Sequence, residues 1–406
     1  MRCGLLGEHL AHSYSPRLHT LLGGSYTYEL FEVAPAQLDG FLRGDAFDGL
    51  NVTVPYKQAV LPYCAALSET ARLCGSVNIL LRRSDGTLYG DNTDFDGFFY
   101  LLSRNGGITP GETALVLGTG GASKTAQAVL RAQGARVIAL SHRENTPEAV
   151  RASGASLLVN ATPVGMYPHN GECPIAPEQL PSCRLVLDLI YHPAKTALLL
   201  AAQERGIPCD NGLAMLVAQA ARAAALFTAS PHTETAEQIE KVLCKLQAET
   251  RNVIFIGMPG CGKSTIGRRF SEQAAMPFFD CDAILEARLG CTASAFLRKH
   301  GEAAFRARET ALLAELGKCS GGVIATGGGC VTRAENLRFL RQNGILLWLQ
   351  RDLNRLATEG RPLLQAKTPA VLYAERRAAY EAFADRVIDN NGTPEETLHN
   401  ITEVLQ

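Results

Sequence analysis

Residues 255–265 read FIGMPGCGKST. Inside them, Gly257-x-x-x-x-Gly262-Lys263-Ser264 has the spacing of a loop in which glycine-freed backbone N–H groups and a helix N-terminus converge on phosphate oxygens. The preceding run NVIFIG (252–257) is apolar, and Ile266 and Phe270 follow at helical spacing, so the stretch reads as strand, turn and helix. Lys263 is expected at the β- and γ-phosphates of ATP and the Ser264 hydroxyl at a magnesium ion. Gly257, Gly260, Cys261, Gly262 and Thr265 complete the ATP-binding loop. Such a loop normally opens a domain, yet here it starts at residue 257 of 406.

A chain of 406 residues is long enough for two or three cores. Hydrophobic residues make up 46% and charged residues 19%, the balance of a soluble globular chain. Lys plus Arg number 39 against 40 Asp plus Glu, which argues against nucleic acid or an anionic membrane as the main partner. We see neither a transmembrane span nor a signal peptide. The 12 cysteines are scattered without CxxC spacing or Cys/His clusters, a pattern that suits reduced thiols in the cytoplasm.

Short apolar runs alternate with helical patterns along the whole chain, the mark of α/β architecture with largely parallel sheets. A second glycine loop stands in TALVLGTGGAS (113–123), again between a strand and a helix. ARVIAL (135–140) reads as a second buried strand, and SLLVNAT (156–162) and RLVLDLI (184–190) as further strands of that sheet. In TAEQIEKVLCKLQ (235–247), Ile239, Val242, Leu243 and Leu246 share one helix face, with Thr235 and Gln238 placed for a capping box. The boundary to NVIFIG is sharp, with no Gly/Ser-rich or Pro-rich linker. The expected division is 1–100, an α/β substrate domain; 101–246, a dinucleotide-binding Rossmann domain; and 247–406, a P-loop domain of nucleoside-monophosphate-kinase type.

Downstream of the P-loop come FFDCDAILE (278–286), GEAAFRARE (301–309), ATGGGCV (325–331), RPLL (361–364) and ERRAAY (375–380). In this order and spacing, roughly residues 252–390 resemble shikimate kinase. The resemblance implies that Asp280 helps hold magnesium through water, and that Asp282 binds the substrate hydroxyls and acts as base. It implies that Arg306 and Arg376 grip the shikimate carboxylate, a task suited to the guanidinium fork. The backbone of Gly327, Gly328 and Gly329 would lie against the ring, and Arg361 would swing onto the phosphates from a lid. Taken alone, Asp280-x-Asp282 reads equally well as a solvated turn, and Arg376 beside Arg377 as a solvated helix face.

The loop Gly118-Thr119-Gly120-Gly121-Ala122-Ser123 departs from G-x-G-x-x-G/A at its third position, Ser123. The next strand ends at LSHRE (140–144), where Arg143 suits a ribose 2′-phosphate and therefore NADP, although Glu144 follows directly. Around this loop stand HSYSPRLH (12–19), NVTVPYK (51–57), GSVNIL (75–80), GDNTDFDG (90–97), NATPVGM (160–166), DLIYHP (188–193) and NGLAMLVAQA (211–220). This ordered set resembles shikimate dehydrogenase over roughly residues 1–246. It implies that Lys57 exchanges the proton on the reacting oxygen while Asp94 orients and tunes it. Ser13, Ser15, Thr53, Asn78 and Gln219 would hydrogen-bond the substrate, with Tyr191 near its carboxylate. Gly165, Met166 and Gly212 would lie near the nicotinamide, and Gly118, Gly120, Gly121, Ala122 and Arg143 would hold the rest of NADP(H). His9, His12 and His19 match no catalytic role and are read as structural.

The two resemblances name consecutive reactions: NADPH-dependent reduction of 3-dehydroshikimate to shikimate, then phosphorylation of shikimate by ATP with Mg2+. Two other readings stay open: an NAD-dependent quinate/shikimate oxidoreductase in the first half, or one half serving as a non-catalytic binding module.

Overall fold

Strands form where short apolar runs sit between turn residues, and their order assembles three sheets. The computed structural model describes residues 1–10, 13–229, 235–357 and 368–405. The chain divides into two compact units, Met1–Leu246 and Gln247–Gln406.

The first unit contains β1 (Arg2–Gly7), β2 (Thr27–Glu32), β3 (Gly49–Val52), β4 (Cys64–Leu67), β5 (Ile79–Arg82) and β6 (Leu88–Asp91). They form one sheet in the order β2-β1-β3-β5-β6-β4, in which β5 runs antiparallel to both neighbours and the other pairs are parallel. A second, wholly parallel sheet follows from β7 (Thr113–Leu117), β8 (Arg136–Leu140), β9 (Leu157–Asn160), β10 (Leu185–Asp188) and β11 (Cys209–Asn211). Its order, β11-β10-β9-β7-β8, places β7 and its glycine loop between β8 and β9, where the chain's progress across the sheet reverses. Ligands of open α/β sheets bind in the crevice at such a reversal.

One expectation is corrected here. The run 135–140 forms a strand but not a buried one: β8 lies at the sheet edge, and Arg136 and Ala139 are exposed. An apolar run shows that a strand forms but not how many neighbours it acquires.

Two helices tie the sheets of the first unit together. Leu213–Thr228 is rich in alanine and buried nearly all round, which lets it pack closely against Thr93–Arg104. The approach is close enough that a Cβ on Gly97 would lie 2.6 Å from the Met215 carbonyl oxygen and 3.0 Å from Gln219 Cβ. In the helix Ala236–Thr250, Ile239, Val242, Leu243 and Leu246 enter the core of the first unit. Thr235 Oγ1 accepts from Gln238 N at 3.2 Å, one half of the expected capping box.

The second unit carries β12 (Asn252–Ile256), β13 (Phe278–Asp280), β14 (Val323–Ala325), β15 (Gly344–Gln350) and β16 (Arg386–Asp389). They form one parallel sheet in the order β13-β14-β12-β15-β16, with the P-loop strand at its centre. Central β12 is buried throughout, as a strand covered on both faces must be. No described helix is long and apolar enough to cross a membrane.

Gly97→Ala is expected to force the two packed helices apart and lower the stability of the first unit by about 1–3 kcal/mol. Urea unfolding followed by far-UV circular dichroism tests this. The fluorescence of Trp348, the sole tryptophan, serves as the internal reference for the second unit.

Candidate functional site

The first unit holds a cavity of about 490 Å³ lined by Ser13, Ser15, Thr53, Lys57, Asn78 and Asp94, and also by Ala122, Tyr191, Gly212 and Gln219. These residues come from distant parts of the sequence, and strand ends and helix starts bring them together. Lys57 stands in the turn after β3 and Asp94 in the first turn of Thr93–Arg104. Lys57 Nζ donates to Asp94 Oδ2 at 2.6 Å, and both side chains keep only part of their surface in solvent. A lysine so held presents its ammonium at a fixed point, as a proton donor must.

The polar wall is built the same way. Asn78 Oδ1 accepts from Thr93 N at 2.7 Å and its Nδ2 donates to Thr93 Oγ1 at 3.1 Å, which locks the end of one loop to the helix carrying Asp94. Gln219 Nε2 donates to the Leu216 carbonyl at 3.0 Å. Ser13 Oγ accepts from Ser15 N at 3.2 Å, so Ser13 makes a local turn bond while lining the cavity. Gly212 is held to glycine by proximity, since a Cβ there would lie 2.1 Å from the Leu189 carbonyl oxygen. Tyr191 meets Tyr14 edge-on at 5.8 Å.

Sequence reasoning missed Asn51 and the group behind it. Asn51 lines the cavity, and its Oδ1 accepts from Tyr28 Oη at 2.8 Å and faces His19 Nε2 at 3.1 Å. His19 is buried and stacked on Tyr28 at 3.9 Å, and burial pushes its pKa down to about 3. It therefore stays neutral and supports the wall rather than exchanging protons. His9 lines the cavity, and His12 lies outside the described residues. Asn51 stands two residues before Thr53 in the quoted motif, on the same side of an extended chain, so strand alternation counted back from Thr53 is the signal that could have found it.

The dinucleotide loop leaves β7 through Gly118, whose φ of +107° and 2.8 Å approach of a Cβ to the Ala161 carbonyl both demand glycine. At Gly120 and Gly121 a Cβ would meet nothing within 4 Å, so the start of the helix Gly121–Ala132 lies open to a phosphate group. Ser123, the departure from the fingerprint, donates its hydroxyl to the Gly118 carbonyl at 2.6 Å and closes the loop. Arg143 is exposed beyond β8. Gly165 has φ +95°, and Met166 is 45% exposed, away from the cavity wall. The loop bearing them is anchored by Asp188, which accepts from Asn160 Nδ2 at 3.0 Å and Thr196 Oγ1 at 2.6 Å. Burial raises the Asp188 pKa to about 6.

In the second unit Gly257 (φ +145°), Gly260 (φ +80°) and Gly262 (φ +99°) shape the loop ahead of the helix Lys263–Ala274. Lys263 is buried, and its Nζ donates to the carbonyls of Gly257 at 2.9 Å and Met258 at 3.0 Å. Ser264 and Thr265 are exposed at the helix start, while Cys261 is buried. Asn390, unnoticed in the sequence, braces the loop: its Nδ2 donates to the Cys261 carbonyl at 2.6 Å and its Oδ1 accepts from Thr397 Oγ1 at 2.9 Å. Asp280 Oδ1 caps the helix Cys281–Leu289 by accepting from the N–H groups of Asp282 and Ala283.

The Gly327–Gly329 loop lies at the hub of the other polar groups. A Cβ on Gly327 would lie 2.8 Å from Asp282 Oδ1 and 2.5 Å from Glu309 Oε1, and one on Gly329 2.2 Å from the Arg306 guanidinium. Arg376, which alone resembles a solvated residue, is 5% exposed and donates to the Gly328 carbonyl at 2.9 Å. Tyr380 Oη donates to the same carbonyl at 2.6 Å. Arg306 pairs with Glu309 at 2.7 Å and Glu302 at 3.2 Å. Glu309 is 1% exposed, and its Oε1 has no hydrogen-bond partner among the described residues. Arg361 and the RPLL run lie outside the described residues.

Known proteins match the two units separately. A family model described as shikimate dehydrogenase substrate binding domain matches residues 5–80, and one described as shikimate kinase matches residues 259–406. The shikimate dehydrogenase (NADP(+)) of Methanopyrus kandleri is 38% identical over 259 residues, covering 55% of this chain and 89% of its own. Among solved structures, a chorismate mutase/shikimate 5-dehydrogenase fusion protein from Clostridium acetobutylicum is 32% identical with a TM-score of 0.55, covering 60% of this chain and 96% of that one. Shikimate 5-dehydrogenase from Thermus thermophilus, in complex with NADP(H) and shikimate, is 33% identical with a TM-score of 0.52, covering 60% and 99%.

The Arg306–Glu309 pair sets an expectation for stability. Arg306→Ala leaves a buried carboxylate without its cation and is expected to destabilise the second unit by about 3–5 kcal/mol. Adding Glu309→Gln to that variant is expected to restore part of the loss. Denaturant titration followed by Trp348 fluorescence measures both.

Proposed function

We infer that this chain, which belongs to the shikimate dehydrogenase family in its first unit and carries a shikimate kinase domain in its second, is a bifunctional enzyme of the shikimate pathway. The observation that carries the reading is that two unrelated site chemistries on one chain converge on one metabolite. The first unit reduces 3-dehydroshikimate to shikimate with NADPH, and the second phosphorylates shikimate with ATP. We assign residues 1–100 to substrate binding, 101–246 to the coenzyme and 247–406 to the kinase, and the cytoplasm as the place of action.

In the first unit, NADPH supplies the hydride when bound. Lys57 donates the proton to the reduced oxygen, and Asp94, 2.6 Å away, holds the ammonium in place. Ser13, Ser15, Thr53, Asn78 and Gln219 hydrogen-bond the substrate's hydroxyls and carboxylate from the cavity wall, Tyr191 flanks the carboxylate, and Asn51 joins them as a further wall residue. The open helix start at Gly120 and Gly121 suits the coenzyme's pyrophosphate.

In the second unit the donors fit a hard cation, with the Ser264 hydroxyl at the start of the helix Lys263–Ala274 and the Asp280 carboxylate at the end of β13. Ser264 would hold Mg2+ directly and Asp280 through water, and the ion would neutralise phosphate charge. Lys263 leaves its two carbonyl partners to meet the β- and γ-phosphates. Asp282 orients the attacking hydroxyl and takes its proton, and Arg306 and Arg376 hold the shikimate carboxylate. Arg361 is assigned to the transferring phosphate.

Two assays on the intact chain separate the halves: oxidation of NADPH by 3-dehydroshikimate and shikimate-dependent release of ADP. Lys57→Ala is expected to lower kcat of the first by about 10²–10⁴-fold and leave the second unchanged. Asp282→Asn is expected to do the converse. Full retention of either activity in its own variant overturns the corresponding assignment.

A further inference from the structure

The crevice between the ends of β7, β8 and β9 opens into a second cavity, of about 420 Å³, lined in part by Leu140, Ser141, His142, Asn145 and Thr162. A dinucleotide's pyrophosphate at the Gly120–Gly121 helix start directs its adenosine half toward the end of the second strand of such a sheet. A 2′-phosphate there is received by backbone N–H groups, hydroxyls and arginine, whereas a free ribose diol is received by a carboxylate. This chain contains parts of both arrangements.

Ser141 offers an N–H and a hydroxyl at the end of β8, the two donors that a phosphate oxygen would take. Both are already engaged by Glu144, whose Oε2 accepts from Ser141 N at 3.0 Å and from Ser141 Oγ at 2.6 Å. The carboxylate is fixed in that position by the turn itself, since the Glu144 and Asn145 N–H groups both return to the Ser141 carbonyl, at 3.1 and 3.0 Å. The same two hydrogen bonds from Ser141 hold the Glu144 carboxyl below its ordinary pKa, so it is anionic whenever the enzyme works. A second feature points the same way. Asn145 Nδ2 donates to the Pro174 carbonyl at 2.9 Å, while its buried Oδ1 has no partner among the described residues. An acceptor awaiting a donor matches a ribose hydroxyl or the adenine amino group and not a phosphate.

We propose that Glu144 is a specificity-determining residue of the first unit: a built-in anion seated on the Ser141 donors, which a 2′-phosphate must displace and a ribose diol can use. The inference rests on the dehydrogenase reading. Arg143, exposed on the same turn, pulls toward the 2′-phosphate, and Glu144 offsets it, so the chain accepts NADH alongside NADPH. A like charge beside a phosphate costs enough to move a coenzyme ratio by about tenfold or more.

The test compares wild type, Glu144→Gln and Glu144→Ala. Reduction of 3-dehydroshikimate is measured with NADPH and with NADH. Binding of each coenzyme is also titrated by the fluorescence of its reduced nicotinamide, with saturating Mg-ATP present to block the second unit. The expected result is that both variants raise the NADPH-to-NADH ratio of kcat/KM about tenfold or more, chiefly through KM, with a matching shift in the binding ratio. Glu144→Gln retains an amide oxygen to accept from Ser141, so a purely structural turn would leave its ratio at the wild-type value, and that result overturns the proposal. Absence of turnover with either coenzyme, alongside an intact binding shift, would refute the dehydrogenase reading while upholding the role of Glu144. Equal binding ratios in all three proteins would refute that role whatever the activity.

Discussion

In both units a parallel strand must turn into a helix within a few residues, at the end of the sheet where ligands arrive, and glycine makes that turn. Gly118 at φ +107° and Gly257 at φ +145° both occupy backbone space closed to other residues, and each faces a neighbouring carbonyl at a distance no side chain would allow. The rest follows from those turns. Each helix begins with its N–H groups pointing out of the strand end, and the polar residues of adjoining loops are gathered around that point. Ser123 and Asn390 act as braces, one tying its loop through a hydroxyl and the other through an amide.

The two sites manage charge differently. In the first, Lys57 and Asp94 form a partly solvated pair in a cavity of about 490 Å³, so their charges are tempered by water and remain available to a substrate. In the second, Arg306 and Glu309 are buried together against the glycine loop, where removal of either partner strands the other. The second arrangement ties the orientation of the Arg306 guanidinium to the folding of its unit. An arginine held by a buried carboxylate is pre-oriented, and Glu309 Oε1 keeps an acceptor facing the same loop.

Much of this architecture was legible in advance because local patterns carry it. The glycine spacings predicted both strand–turn–helix units, the helix face of Ile239, Val242, Leu243 and Leu246 predicted a buried helix, and the motif order pointed to both families. Other features were not legible. The exposure of β8 depends on its having one neighbour instead of two. Asn51 and His19 meet only because β3 and the helix Ser15–Leu22 come together across 32 residues of sequence, and Glu309 and Asn390 act across 18 and 129 residues respectively, on Gly327 and on the Cys261 carbonyl.

The sequence by itself therefore determined the kind of fold and the chemistry of the two glycine loops, since backbone freedom and apolar period are properties of short segments. Tertiary structure alone decided which polar side chains share a cavity, which charges are buried as pairs, and where the Glu144 carboxylate rests. Those outcomes depend on distances between segments that no local pattern encodes. Arg143 and Glu144 stand side by side in the chain with opposite charges, and only the turn that seats Glu144 on Ser141 shows where the carboxylate of the two is held.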